Sequence, residues 1–350
     1  MKRIITHSRP GVDARELDAV VAALKQGHFS QGEEVRRLEE ALSKFYGGAE
    51  VVAVSSGTAA LYLALAALGV PKTKRVIIPS YTCNSLYAAV TALGSLPVCV
   101  DVPEGGPSLV FESVRLELDG SIAALIVPHT CGYQAGMEEM CKTGIPVIED
   151  CAQAVGGVYP DGSLLGSKGD VAVLSFYGTK LLPAGEGGAC VTKNPSVAAT
   201  LRSLRNCDES DPLPGAFNFK MSDIGAALAC AKLKRLQEAI DRREQIAARY
   251  DEAFGRFSFR RRASQKQAVC FRYLLEIDGE VDGFLAQAEL QGIVCRRPIW
   301  KPLHHSLGGH CPHTERLEKT LVSVPIYPNL EQEEVEGVCK TLSALLKHRP

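Results

Sequence analysis

A lysine that follows a run of core-type residues and stands among hydroxyls is a candidate for covalent chemistry on a carbonyl, and this chain has one at Lys180. The segment Val171 to Phe176 is apolar apart from Ser175. It runs into Tyr177-Gly178-Thr179-Lys180 and then the turn Gly185-Glu186-Gly187-Gly188. An amine whose pocket lowers its pKa is a nucleophile able to form a Schiff base, whereas a lysine left in water is only a solvated charge. Upstream, Val147-Ile148 leads into Glu149-Asp150-Cys151-Ala152-Gln153. A carboxylate at the end of a buried strand is costly unless it meets a cation or N–H donors, so Asp150 is either a partner for a positive group or a cap for the following chain. A third motif, Ser55-Ser56-Gly57-Thr58, opens the helical run Ala59 to Leu68. Free N–H groups at a helix start take up anions, and Gly57 lets the backbone approach closely. The same residues serve equally as a plain N-cap.

Such residues need a frame. Short apolar runs at Val51–Val54, Val76–Ile78, Val98–Val100, Ala123–Val127, Val147–Ile148, Val171–Phe176 and Ala189–Thr192 do not alternate with polar residues, as expected of strands covered on both faces. Helix-length segments separate several of them. The pattern predicts an α/β fold with a largely parallel sheet flanked by helices, whose ligands bind beyond the carboxyl ends of the strands. Ahead of the sheet, Leu17, Val20, Val21 and Leu24, then Val35, Leu38, Leu42 and Phe45, give two amphipathic helices. From Ser222 on, Leu233, Leu236, Ile240, Ala247, Tyr250 and Phe254 recur at helical spacing, which predicts one long helix over 222–254. It would link a large domain, 1–232, to a smaller α+β C-terminal domain, 233–350. That smaller unit would hold a strand at Phe271–Ile277, a helix from near Asp282, and a final helix with Val335, Val338, Leu342 and Leu345 on one face.

Composition narrows the function classes. The 350 residues suit about two domains, and 39 Lys and Arg against 40 Asp and Glu give a net charge of -1, a poor match to nucleic acid. The longest nearly apolar run, Ala59–Val70, falls well short of the ~20 residues a membrane helix needs, and Met1–Pro10 has no apolar signal-peptide core. Twelve cysteines sit mostly in apolar stretches, as free thiols in a reducing cytoplasm would. A soluble, unexported cytoplasmic enzyme is the expectation.

The motifs taken together resemble a known family. S-S-G-T-A-A-L from Ser55, P-S-Y-T from Pro79, E-D-C-A-Q-A from Glu149, S-F-Y-G-T-K from Ser175, G-E-G-G from Gly185, N-F-K-M-S-D from Asn218 and V-P-I-Y-P from Val324 occur in the order of the DegT/StrS-type sugar aminotransferases. Those are fold type I pyridoxal-phosphate enzymes, and the resemblance runs over nearly the whole chain. It implies pyridoxal 5'-phosphate as cofactor, held by Lys180, with Asp150 on the protonated pyridine nitrogen and Gln153 beside the ring and its 3-hydroxyl. It implies that Gly57, Thr58 and Ser175 cradle the phosphate, and that Asn218 reaches the phosphate of a neighbouring subunit in a homodimer with composite sites. The implied reaction moves an amino group from an amino acid, glutamate foremost, to a keto group of a nucleotide-linked sugar. A sugar dehydratase on the same scaffold would carry His in place of Lys180. A non-catalytic, cofactor-binding regulator would have no need of Asp150, Gln153 and Lys180 together.

Two positions depart from the family pattern. Cys83 stands where an aromatic usually stacks on the cofactor ring; its thiol can lie against the ring face with less area than an aromatic, or Tyr81 or Tyr87 contributes instead. Lys220 replaces the usual Arg, a point charge in place of a bidentate fork. The segment His304–His313 holds four His and one Cys but no second Cys or carboxylate at a structural-zinc spacing, so no metal is expected there. The resemblance puts that segment, after Arg296, Arg297 and Trp300, at the substrate entrance. Gly162–Lys168 has the wrong spacing for a P-loop, and His129 reads as a hydrogen-bonded structural histidine.

Overall fold

In the computed structural model, which describes residues 4–208, 213–277 and 279–347, the seven apolar runs are the seven strands of one sheet. They are β1 (Glu50–Val54), β2 (Arg75–Pro79), β3 (Leu96–Val100), β4 (Ile122–Pro128), β5 (Val147–Asp150), β6 (Val171–Ser175) and β7 (Gly188–Thr192), in the order β1-β7-β6-β5-β4-β2-β3. Residues 1–3 of the stretch read for an export signal lie outside the described residues. All neighbouring pairs are parallel except those of β7, which is antiparallel to both β1 and β6. Because β7 reverses between them, β1 and β6 run the same way, and Val54 and Ser175 both register on Gly188. A Cβ on Gly188 would lie 2.7 Å from the Ser56 backbone and from the Leu174 carbonyl, so only glycine lets these chains close up.

Apolar layers cover both faces of the sheet, one built on Leu38, Leu42, Leu125 and Leu174, the other on Leu61, Leu65, Ile78 and Ile126. Helix α1 spans Ala14–Lys25 and α2 spans Glu33–Phe45. Helix α3, Gly57–Ala67, is buried from Ala59 to Leu65 and lies on the sheet, and α4 covers Asn84–Leu93. Helix α2 buries Leu38 and Leu42 as its periodicity requires. Its N-cap, Gly32, has no side chain to offer, and the buried Asp223 supplies the cap, accepting from the Gly32 N–H (2.8 Å) and the Val35 N–H (3.1 Å).

Three expectations need correction. Helix α1 does not bury its apolar stripe: Leu17 is 56% and Leu24 44% exposed, while Glu16 and Ala23 face inward. The inward face is set by charge, because Glu16 meets the Lys232 ammonium at 3.1 Å. The single helix expected over 222–254 is two helices, Asp223–Leu233 and Leu236–Phe254. Leu233 and Leu236 enter the same core on either side of the break, so the apolar spacing runs on without marking it. Finally, the C-terminal unit has a second strand: β8 (Tyr273–Glu276) pairs antiparallel with β9 (Leu321–Val324), too short a run to read from pattern.

The second helix of the broken pair starts in the large core with Leu236 and Ile240 and ends in the C-terminal core with Ile246, Tyr250 and Phe254. The interrupting Arg243 is buried and donates to the Phe271 (3.0 Å) and Ile326 (2.9 Å) carbonyls. Helices Val281–Leu290 and Gln332–Lys347 close the C-terminal core, with Val335, Val338 and Leu342 buried. No helix among the described residues is long and apolar enough to cross a membrane.

Candidate active site

Asp150 is the last residue of β5 and Ser175 the last of β6, so both emerge at the carboxyl edge of the sheet. The Asp150 carboxylate is buried; one oxygen accepts from the Ala152 N–H at 2.9 Å and the other has no partner among the described residues. Burial pushes its pKa up, against the Ala152 N–H and the Lys180 charge.

Lys180 lies in the β6–β7 connection, half-buried, with its ammonium 5.4 Å over the Phe271 ring and in no ion pair among the described residues. Burial chiefly lowers its pKa; Cys83 and Asp150 oppose that shift, and Arg272 adds to it. The result is an amine disposed to give up its proton within electrostatic reach of a carboxylate that has room for a cation.

Gln153 completes the group. Its Oε1 accepts from the Cys131 N–H at 2.7 Å, and its two amide N–H donors have no partner among the described residues. Cys131 holds the left-handed backbone conformation, φ 56°, in the tight turn after β4. Such a residue persists only where its surroundings over-determine it, here the Gln153 and Gln267 amides.

The cradle is built on the start of α3. The Ser56 hydroxyl accepts from the Ala59 N–H (3.0 Å), and the Gly57 and Thr58 N–H groups have no acceptor within the helix. Gly57 stands against Ser175: a Cβ there would fall 2.8 Å from the Ser175 Cβ. The segment bearing Asn218 is tied to the same place, because Ser55 N–H donates to the Phe219 carbonyl at 2.7 Å. Asn218 itself is exposed, and its side chain makes no hydrogen bond to the cradle among the described residues. The Lys220 ammonium is taken up within its own chain, by Asn206 Oδ1 (2.7 Å) and Asp208 (3.4 Å).

Cys83 is exposed at the N-cap of α4. Tyr81 is withdrawn into a core with Tyr133, Phe259 and Leu274, and Tyr87 sits half out on α4.

Behind the site, His129 and Glu149 form a fully buried pair, with His129 Nε2 donating to Glu149 at 3.0 Å. Glu149 also accepts from the Tyr159 hydroxyl (2.6 Å) and from the Gly166, Lys168 and Gly169 N–H groups, which accounts for the glycine-rich loop before β6. Burial raises its pKa, but the donors led by His129 outweigh that and hold it at about 2. His129, Glu149 and Cys151 bring donor atoms within 4.8 Å of one another. With His129 Nδ1 accepting from the Ala135 N–H and Glu149 taken up by its donors, the Cys151 sulfur alone of the three lacks a hydrogen-bond partner among the described residues, and the cluster is chiefly a hydrogen-bond network.

The His304–His313 segment braces the two units. His304 Nδ1 bonds the Ser80 hydroxyl at 2.6 Å, His305 pairs with Glu318 at 2.8 Å, and the His313 and Thr314 N–H groups donate to Asp101. A cavity of about 310 Å³ under the Lys180 loop is lined by Arg9, Lys232, Arg235 and Arg242, but not by Asp150 or Gln153.

The donor set fits pyridoxal phosphate: an uncommitted amine, a carboxylate with a free oxygen, an amide with free N–H groups, and a helix start that only a glycine lets close on Ser175. The DegT/DnrJ/EryC1/StrS aminotransferase family model matches residues 10–343. The chain belongs to this family. Its members are aminotransferases, so this chain is an enzyme of that class. Solved structures of the family superpose closely. An aminotransferase, TlmJ, from Streptoalloteichus hindustanus has 26% identity and a TM-score of 0.91 over 98% of this chain and 99% of that one. A family aminotransferase from Brucella abortus has 27% identity and a TM-score of 0.85, with 95% of each chain covered. DesI, solved in the presence of its TDP-sugar product, has 26% identity and a TM-score of 0.90 over 99% of this chain and 94% of that one.

Phe271 and Arg272 were not legible from sequence as part of this site. An aromatic-basic pair ahead of a strand carries no spacing signal, and the same holds for the Asp223 cap.

Proposed function

We propose that this enzyme is a sugar aminotransferase that uses pyridoxal 5'-phosphate, takes an amino group from an amino acid, glutamate foremost, and delivers it to a keto group of a nucleotide-linked sugar. The observation that carries this reading is the uncommitted Lys180 amine, at the carboxyl edge of the sheet and within electrostatic reach of Asp150. The similarity to DesI, solved with a TDP-sugar product, supports the nucleotide-sugar part.

When bound, the cofactor supplies a carbonyl for the amino group and a ring that withdraws electrons from the adjacent carbon. Asp150 would hold a proton at the ring nitrogen through its free carboxylate oxygen, strengthening that withdrawal. Lys180, once released, would carry the proton between carbons, for which its lowered pKa suits it. Gln153 would donate an amide N–H to the ring oxygen. The Gly57 and Thr58 N–H groups and the Ser175 hydroxyl would hold the phosphate, and Cys83 would lie against the ring in place of an aromatic.

We further propose a homodimer with shared sites, in which Asn218 serves the partner subunit. Support comes from the outward apolar stripe of α1 and from the exposed Phe217 and Asn218 beside the cradle. The chain would divide into a large cofactor-binding unit, 1–232, and a C-terminal unit, 233–350, and act in the cytoplasm, in keeping with twelve free thiols.

The test is borohydride reduction of the purified, cofactor-loaded protein followed by peptide mapping, then a panel of nucleotide keto-sugars offered to the aminated form. The adduct is expected on Lys180, and at least one nucleotide keto-sugar should return the cofactor to its starting spectrum. An adduct on another lysine, or no response to any keto-sugar, would overturn the reading.

A further inference from the structure

Three cations surround the Phe271 ring: Lys180 Nζ at 5.4 Å from its centroid, Arg272 Cζ at 5.2 Å and Arg243 Cζ at 6.0 Å. Arg243 is spent on two carbonyls. Arg272 is different. It is half-buried, and no carboxylate lies within ion-pair distance of it among the described residues. Its hydrogen-bond partner is the His7 ring, whose Nε2 accepts from it at 3.0 Å.

His7 is a neutral partner. Burial first, then the charges of Arg272, Arg296 and Arg243, hold its pKa down to about 3, so it orients the guanidinium without neutralising it. Ser323 of β9, 2.9 Å from the same ring nitrogen, fixes the imidazole in turn. The charge therefore remains available, and it is felt at the Lys180 amine and at the Cys131 thiol beside Gln153. A guanidinium kept partly out of water with no anion is unfavourable unless a ligand provides one.

We propose that Arg272 is the anchor for the α-carboxylate of the amino donor, oriented by His7 and Ser323. This rests on the aminotransfer reading. An amino acid that presents its amine where Lys180 stands must carry a carboxylate one carbon away from that amine's carbon, and a guanidinium fork is the side chain that holds a carboxylate bidentately. A keto-sugar has no carboxylate, so Arg272 would separate the two half-reactions: it grips the donor and leaves the acceptor to other groups.

The test compares cofactor-loaded wild type, Arg272→Gln and Arg272→Lys. Spectral titration with L-glutamate and with L-alanine should show half-saturation raised about 100-fold in the Gln variant, with a smaller rise in the Lys variant. The maximal rate should change far less than half-saturation does. Ethylamine, which lacks a carboxylate, should perturb the spectrum equally in all three proteins. Calorimetry with succinate, a non-reacting dicarboxylate, gives a readout independent of turnover: binding should be detected in wild type and lost in Arg272→Gln. Equal half-saturation for both amino acids, equal weakening toward ethylamine, or succinate binding that is absent in wild type or retained in Arg272→Gln would overturn the proposal. Failure of the aminotransfer reading shows separately, as a wild-type protein that turns over no amino acid while the succinate result still decides the anchor.

Discussion

Gly57 and Ser175 lie so close that a Cβ on Gly57 would stand 2.8 Å from the Ser175 Cβ and 3.1 Å from its Oγ. The first turn of α3 and the end of β6 thus form one concave surface at which two N–H groups and a hydroxyl converge. Gly57→Ala should force them apart while leaving the buried face of α3 in place. Cofactor affinity, read by fluorescence titration of the apoprotein, should fall about tenfold or more through lost charge-assisted hydrogen bonds. Unchanged affinity would remove Gly57 from the phosphate site.

Asp150→Asn tests the ring-nitrogen role. The variant keeps the size of the side chain and its Ala152 contact but loses the charge. Cofactor uptake should persist, while the single-turnover half-reaction with an amino acid slows by about 100-fold or more. A rate within about threefold of wild type would remove Asp150 from that role.

The buried His129–Glu149 pair makes acid stability predictable. Glu149 has its pKa lowered from 4.5 to about 2 in the folded chain. A depressed carboxylate adds stability that is complete above its unfolded value and lost as pH falls through its folded one. On the order of 3 kcal/mol should disappear between roughly pH 4.5 and pH 2, measured by urea unfolding across that range. Glu149→Gln should flatten the profile and lower stability even at neutral pH, since its amide cannot accept from all the donors that Glu149 satisfies.

Mixing tests the shared site. Lys180→Ala and Asn218→Ala proteins, each inactive alone, should regain activity after subunit exchange, because one site of each mixed dimer would carry neither lesion. With random exchange about half the dimers are mixed, so recovery should approach a quarter of wild-type sites. Lys220 is left unchanged, since its ammonium is already held by Asn206 and Asp208. No recovery after verified exchange would confine Asn218 to its own subunit.

The sheet was legible because strands buried on both faces leave unbroken apolar runs, as in β1, β2 and β4 to β7, while β3, the half-exposed edge strand, was read from its apolar residues alone. The residues at their carboxyl ends, Asp150 and Ser175, followed from the same rule. The reversal of β7 was not legible, since a buried run looks alike in either direction. The face of α1 was misread for a related reason: periodicity reports that a stripe is apolar but not what covers it, and Glu16 found Lys232 and Arg235 on the inner side. Arg272 left no trace because its significance lies in missing partners, which exist only in three dimensions.

The helix Leu236–Phe254 is rooted in two cores at once, Leu236 and Ile240 in one and Ile246, Tyr250 and Phe254 in the other. A rod shared in this way couples melting: loosening either core frays the element that the other needs. The whole chain should therefore lose its structure in one cooperative transition, and Ile240→Ala, a lesion in the large core, should raise protease susceptibility around β8 and β9 as well as at its own position.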